Sequence, residues 1–176
     1  GLSWVYLKHT GEDQIACTGK RSTIDSARAT LACAYWGIML IHRKEIQIEW
    51  GDCDPFGIVF FPRYFEYFDG CTNALFHHAL GIKKAEMLKL HKIAGIPLVQ
   101  ASCNFFVPSS FGDLVHVDSC VTNWGNSSFT VQHKLFRGET LAVEGIEKRV
   151  WTVRVPGDPP KAMGQAIPKE VIEKFS

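Results

Sequence analysis

An α+β domain, with an antiparallel sheet curled around one long central helix, is the fold that this 176-residue sequence predicts. Three observations lead to it. Through residues 63–80, Phe65, Phe68, Cys71, Leu75, Phe76 and Ala79 recur at steps of three and four, the period of a helix. Downstream the period becomes two, in four runs rich in Val, Phe, Thr and Trp. Those runs are parted by the turn-forming stretches 108–112, 125–126 and 137–138, which predict hairpins. A sheet wrapped on the helix buries both kinds of apolar face at once.

Taken in order, residues 1–27 mix polar and small side chains with no sustained period. Residues 1–42 are therefore expected to be an N-terminal extension, poorly ordered or non-native, and residues 43–176 to be the folded domain. Met39 lies just before that boundary, and a chain beginning there is expected to fold. The apolar run 29–41 is shorter than the roughly 20 residues of a membrane span, and no A-x-A-like cleavage site follows it.

Residues 44–50 alternate, with Ile46, Ile48 and Trp50 on one face of a first strand and Glu45, Gln47 and Glu49 on the other. A loop, Gly51-Asp-Cys-Asp-Pro-Phe-Gly57, leads to Pro62 at a first helical position. The helix carries Tyr64 and Tyr67 as well as its apolar stripe, so protein is expected to surround it, and Gly81 ends it. A shorter helix at 84–92 stops at Gly95. Strands follow at 98–107, 114–124, 128–136 and 140–155, and residues 169–175 close the chain as a helix.

Composition narrows the function classes. With 46% hydrophobic and 21% charged residues the chain is an ordinary globular protein, and 19 Lys+Arg against 18 Asp+Glu give a net charge of +1. No strong field favours nucleic acid or an anionic membrane. The six cysteines, at 17, 33, 53, 71, 103 and 120, contain no C-x-x-C pair and read as free thiols in a reducing cytoplasm. G-x-S-x-G, G-x-G-x-x-G, Walker and H-E-x-x-H motifs are absent, and adjacent His77 and His78 cannot both face one metal from a regular helix. No metal and no cofactor is expected, and the seven histidines read as surface or satisfied core residues.

Chemistry concentrates in the loop before the helix. Asp54-Pro55-Phe56-Gly57 is a turn sequence, and both Asp52 and Asp54 fit as turn acceptors. An aspartate held beside a helix N-terminus also lies near unpaired backbone N–H groups and the positive end of the helix dipole. A carboxylate and an anion-stabilising site then converge, which is what acyl transfer requires. Asp69, two turns down a helix otherwise full of aromatics, is a charge that needs a partner, either a polar neighbour or a substrate.

The run GDCDPFGIVFFPRYF at 51–65, with G-I-P-L-V from 95 and Phe105-Phe106-Val107, resembles the hotdog-fold acyl-CoA thioesterases, above all the 4-hydroxybenzoyl-CoA thioesterases. The resemblance covers roughly residues 45–175. It implies a helix wrapped by a five-stranded antiparallel sheet, a homodimer or homotetramer with active sites between subunits, and an aromatic acyl-CoA as the expected substrate. By the same resemblance Asp54 matches the catalytic nucleophile or general base, and the backbone N–H of Phe61 matches the donor to the thioester carbonyl. Asp52 becomes a structural loop residue, and Asp69 matches the residue that reaches a ring hydroxyl in the neighbouring subunit. The branch associated with the Tol-Pal envelope system often has His where this chain has Phe61. Adjacent basic residues of the third-to-fourth strand hairpin, available to CoA phosphates in similar enzymes, are replaced here by Trp124-Gly125-Asn126-Ser127-Ser128, leaving Arg137, Lys148 or Arg149 for that task, or a weaker recognition of the phosphates. Aliphatic acyl-CoA or acyl-carrier-protein thioesters, and non-catalytic acyl-CoA binding, are the alternative readings.

Overall fold

The computed structural model describes residues 39–157 and 161–176. The extension expected at 1–42 falls largely outside the described residues, as do Cys17 and Cys33. Strand β1 is His42–Gln47, and just before it the Leu40 N–H donates to the Phe175 carbonyl at 3.0 Å. Helix α1 is Pro62–Leu80 and α2 is Lys84–Leu90. Then follow β2 (Leu98–Phe105), β3 (Leu114–Trp124), β4 (Ser128–Arg137), β5 (Thr140–Val150), β6 (Thr152–Val155) and β7 (Lys161–Gly164). The chain ends in α3 (Lys169–Ile172), continued by a 3-10 turn at Glu173–Phe175.

Five strands form one antiparallel sheet in the order β1-β3-β4-β5-β2, with α1 packed on one face. Pro62 opens the 19-residue helix at no cost, because a first-turn N–H has no intrahelical acceptor anyway. Gly81 closes it at φ 70°, donating its N–H to the His77 carbonyl. One face of α1, carrying Tyr64, Phe68, Cys71, Thr72, Leu75 and Phe76, is buried against the sheet. The opposite face is not surrounded: Glu66 and Asp69 are exposed, and Phe65 and Asn73 only partly covered.

Three expectations fail in instructive ways. Trp50 does not continue the first strand; the backbone tightens into a 3-10 turn at Trp50–Asp52, capped by the Asp52 side chain accepting the Glu49 N–H, and the Trp50 side chain is 78% exposed. Strand β2 does not form a hairpin with β3 across residues 108–112, but pairs with β5 at the far edge of the sheet, so the meander contains only β3, β4 and β5. The last strand breaks at Trp151, whose fully buried ring belongs to the core near α3, and β6 turns away to pair with β7.

The interior is divided. Around Leu75, Phe76, Met87, Phe129, Val131 and Trp151 lies one apolar cluster, and around Ile48, Tyr64, Phe68, Val117, Leu135 and Val143 lies another. Between them the buried sheet positions are polar or lack a side chain: Ser119 pairs with His133, which pairs with Gly145, and Glu147 and Arg149 follow on β5. The Phe68 ring stacks on His133 at 4.7 Å and lies over Gly145, where a Cβ would sit 2.3 Å from the ring. Only glycine permits that approach. Among the described residues Cys53, Cys71, Cys103 and Cys120 are free thiols, and no helix is long and apolar enough to cross a membrane.

Candidate active site

The segment between β1 and α1 doubles back on itself. Cys53 and Val59 form an antiparallel bridge, the Asp54 N–H donates to the Ile58 carbonyl at 2.9 Å, and the Phe60 N–H donates to the Asp52 carbonyl at 2.8 Å. At the tip, the Gly57 N–H donates to the Asp54 carbonyl (2.8 Å) and the Phe56 N–H to Asp54 Oδ1 (2.9 Å). This is the turn that Asp-Pro-Phe-Gly encodes, with Gly57 supplying a φ of 77°. Asp54 is half-buried, and its Oδ2 accepts no hydrogen bond from the described residues. One carboxylate oxygen holds the turn and the other has no hydrogen-bond partner among the described residues.

Asp52 is used differently. Its Oδ2 accepts the Glu49 N–H at 2.9 Å, and its Oδ1 lies 3.7 Å from Arg63 Nε on α1, so it pins the base of the loop to the helix. Burial, reinforced by the neighbouring Asp52 carboxylate, pushes the Tyr67 hydroxyl above its ordinary range.

Phe61 is the N-cap of α1. Pro62 has no N–H, while the Arg63 and Tyr64 amides donate to the carbonyls of Phe60 (2.9 Å) and Phe61 (3.2 Å). Phe61 N–H donates to none of the described residues. It is the open donor at the positive end of the helix. Asp54 and Phe61 thus stand on the two arms of one loop.

Asp69 is not part of that loop. Its half-exposed side chain accepts Arg149 Nη2 at Oδ1 (2.6 Å) and Asn73 Nδ2 at Oδ2 (3.1 Å). Arg149 is only 3% exposed, and it also donates from Nε and Nη2 to the two carboxylate oxygens of Glu147, both at 2.9 Å. Arg149 is therefore unavailable to CoA phosphates, which corrects one of the three cations expected for that task. Arg137 is engaged with the Pro108 carbonyl (2.8 Å) and lies 3.6 Å from Asp113, and Lys148 is exposed.

Behind Arg149 the polar belt continues. Thr72 donates to Glu147 Oε2 at 2.7 Å, His133 Nε2 lies 3.4 Å from the same oxygen and 3.3 Å from Thr72 Oγ1, and His133 Nδ1 lies 2.8 Å from Ser119 Oγ. A neutral imidazole with its proton on Nε2, accepting the Ser119 hydroxyl at Nδ1, satisfies all of these contacts. Burial keeps His133 below its ordinary value. Burial works against the Glu147 charge, but donors from His133, Arg149 and Thr72 outweigh it and hold the carboxyl at about 2. In the sequence these are isolated polar residues at inward positions of β3, β4 and β5, and their pairing partners lie up to 80 residues away.

Over residues 48–172 the sequence matches the model of the thioesterase-like superfamily. The chain belongs to this family. The curated 4-hydroxybenzoyl-CoA thioesterase of Pseudomonas sp. (strain CBS-3) is 32% identical over 92 residues, a match spanning 52% of this chain and 64% of that relative's length. The solved structure of 4-hydroxybenzoyl-CoA thioesterase from Pseudomonas sp. strain CBS-3 aligns with a TM-score of 0.68 at 26% identity, covering 76% of this chain and 98% of that one. A gentisyl-coenzyme A thioesterase structure aligns with a TM-score of 0.63 at 30% identity, again over 76% and 98%. The thioesterase-like domain described here accordingly has the hotdog fold, the α+β architecture of a five-stranded antiparallel sheet around a helix. No group of three His, Cys, Asp or Glu among its described residues is placed to hold a metal ion.

Proposed function

We propose that this member of the thioesterase-like superfamily hydrolyses an aromatic acyl-CoA, with Asp54 as nucleophile or general base and the Phe61 N–H as donor to the thioester oxygen. The observation that carries the reading is the loop itself, which holds a carboxylate with one free oxygen and ends at the one open amide of the α1 N-terminus. Attack on the carbonyl carbon, by Asp54 or by a water it deprotonates, places negative charge on the carbonyl oxygen. An N–H fixed at a helix start stabilises that charge, and collapse of the intermediate breaks the C–S bond and expels the CoA thiolate, leaving the free acid where water attacked, or an acyl–Asp54 anhydride that a water then hydrolyses. The relatives named for 4-hydroxybenzoyl-CoA and gentisyl-CoA both act on hydroxylated aromatic thioesters, which supports an aryl acyl group here.

Asp69 is eight residues beyond Phe61, so a helix rise of ~1.5 Å per residue separates them by roughly 12 Å along the axis. In this reading it contacts the ring hydroxyl of a substrate held by a neighbouring copy. The exposed face of α1 around Asp69 and the unpaired outer edge of β2 both leave room for such a copy, and soluble proteins usually cover an edge of this kind. A homodimer or homotetramer is expected; light scattering that finds an active monomer at micromolar concentration would remove the shared site.

Substrate choice is tested at Asp69. A hydrogen bond to a charged group contributes about 1.5 to 3 kcal/mol, roughly 10- to 150-fold. Asp69→Asn is therefore expected to lower the ratio of kcat/KM for 4-hydroxybenzoyl-CoA over benzoyl-CoA by about that factor. Equal losses on both esters would reduce Asp69 to a structural partner of Arg149.

A further inference from the structure

We propose that Arg149, gripped by Glu147, is a positioning residue that aims the Asp69 carboxylate at the ring hydroxyl and so sets selectivity for hydroxylated acyl groups. The inference rests on the reading of Asp69 given above. Asp69 stands half-exposed on a helix face, and a free aspartate there would sample several rotamers. Here its Oδ1 is held by Arg149 Nη2 at 2.6 Å, while Asn73, one turn along, donates to its Oδ2 and to its backbone carbonyl.

Arg149 itself has almost no freedom. Nε and Nη2 form a fork on Glu147, Nη1 donates to the Ile96 carbonyl at 3.3 Å, and Glu147 is fixed in turn by Thr72 and His133. Orientation thus passes from the middle of the sheet through one planar guanidinium to a carboxylate at the surface. A guanidinium bridges two carboxylates in a fixed geometry, whereas an ammonium is a single point of charge. Arg149→Met removes the donor that fixes Asp69 Oδ1. The apolar replacement of Arg149 should therefore affect esters that use Asp69 more than those that do not.

The experiment measures kcat/KM on 4-hydroxybenzoyl-CoA and benzoyl-CoA for wild type, Asp69→Asn, Arg149→Met, Arg149→Lys and the Asp69→Asn/Arg149→Met double variant, with oligomeric state checked for each. The expected result is a fall in the hydroxybenzoyl-to-benzoyl ratio of about tenfold or more in Arg149→Met, a smaller fall in Arg149→Lys, and no further fall when Asp69→Asn is combined with Arg149→Met. If Arg149→Met does not fold, the Arg149→Lys ratio decides, with a fall of at least threefold expected. A merely structural Arg149 would lower both esters equally and leave the ratio unchanged. If Asp69→Asn lowers the ratio and neither Arg149 variant does, the positioning role is overturned and the reading of Asp69 stands. If Asp69→Asn also leaves it unchanged, the reading of Asp69 fails and the inference falls with it.

Discussion

Asp54→Asn is expected to lower turnover of the best thioester by at least the 10²- to 10⁴-fold typical of losing a general base, while the melting temperature stays nearly unchanged. The separation follows from how the two carboxylate oxygens are used. Oδ1 accepts the Phe56 N–H and holds the turn, a task the amide oxygen of Asn performs equally well. The free oxygen is where a base or nucleophile must act, and an uncharged amide can neither accept a proton from water at neutral pH nor attack a carbonyl. Asp52→Asn is expected to be the milder lesion in activity, since Asp52 is spent on the Glu49 N–H and faces Arg63. Steady-state kinetics with thermal melts on the same samples checks both. An Asp54→Asn protein that hydrolyses its best substrate within a few-fold of wild type would make Asp54 a turn residue alone.

The largest effect on stability is expected at Glu147. Replacing it by Ala removes two of the buried Arg149 guanidinium's acceptors, leaving it Asp69 and the Ile96 carbonyl, and takes from Thr72 and His133 their shared acceptor, at a cost of about 3 to 5 kcal/mol, measured by urea unfolding. The same group makes stability depend on pH. Its native carboxyl is held at about 2 against 4.5 for the ordinary group. Its contribution is therefore complete above about pH 4.5 and is lost as the pH falls toward 2, because the unfolded chain takes up the proton first. That contribution is on the order of 3 kcal/mol. His133, held neutral below its ordinary 6.5, adds a loss that begins lower than about pH 6.5. Unfolding curves at pH 7.5, 5.5, 4 and 2.5 should show declining stability, and Glu147→Ala should lack the portion lost below 4.5. A buried ion pair is not by itself a source of stability, so the expected loss is that of breaking the pair rather than of never having had it.

The parts of this molecule that were legible in its sequence are those fixed by neighbours along the chain. Helix α1 announces itself by period and by Pro62 and Gly81 at its ends, and the structure bounds it at those residues. The Asp54 turn is equally local, since Asp, Pro and Gly meet at the spacing a turn needs. Strand order was not legible, because turn chemistry at 108–112 says that the chain reverses but not which sheet edge it joins, and β2 lies beside β5. The break at Trp151 was hidden by a period of two that runs through it, while the burial of that ring decides where β5 ends. The polar belt was missed for a similar reason. Ser119, His133, Glu147 and Arg149 each look like single exceptions in an apolar alternation, and only the register of three strands and the position of Thr72 bring them together. Asp69 reads in the sequence as a charge in need of a partner, but its partner Arg149 lies 80 residues away along the chain.

The most direct test of the account is release of free CoA thiol by the purified chain from a panel of benzoyl, 4-hydroxybenzoyl, phenylacetyl and short aliphatic CoA esters. Catalytic thiol release is expected, with the highest kcat/KM on 4-hydroxybenzoyl-CoA, and Asp54→Asn is expected to lose it. A chain that binds these esters but releases no thiol from any of them would contradict it, and would make the loop before α1 part of an acyl-CoA binding protein rather than of an enzyme.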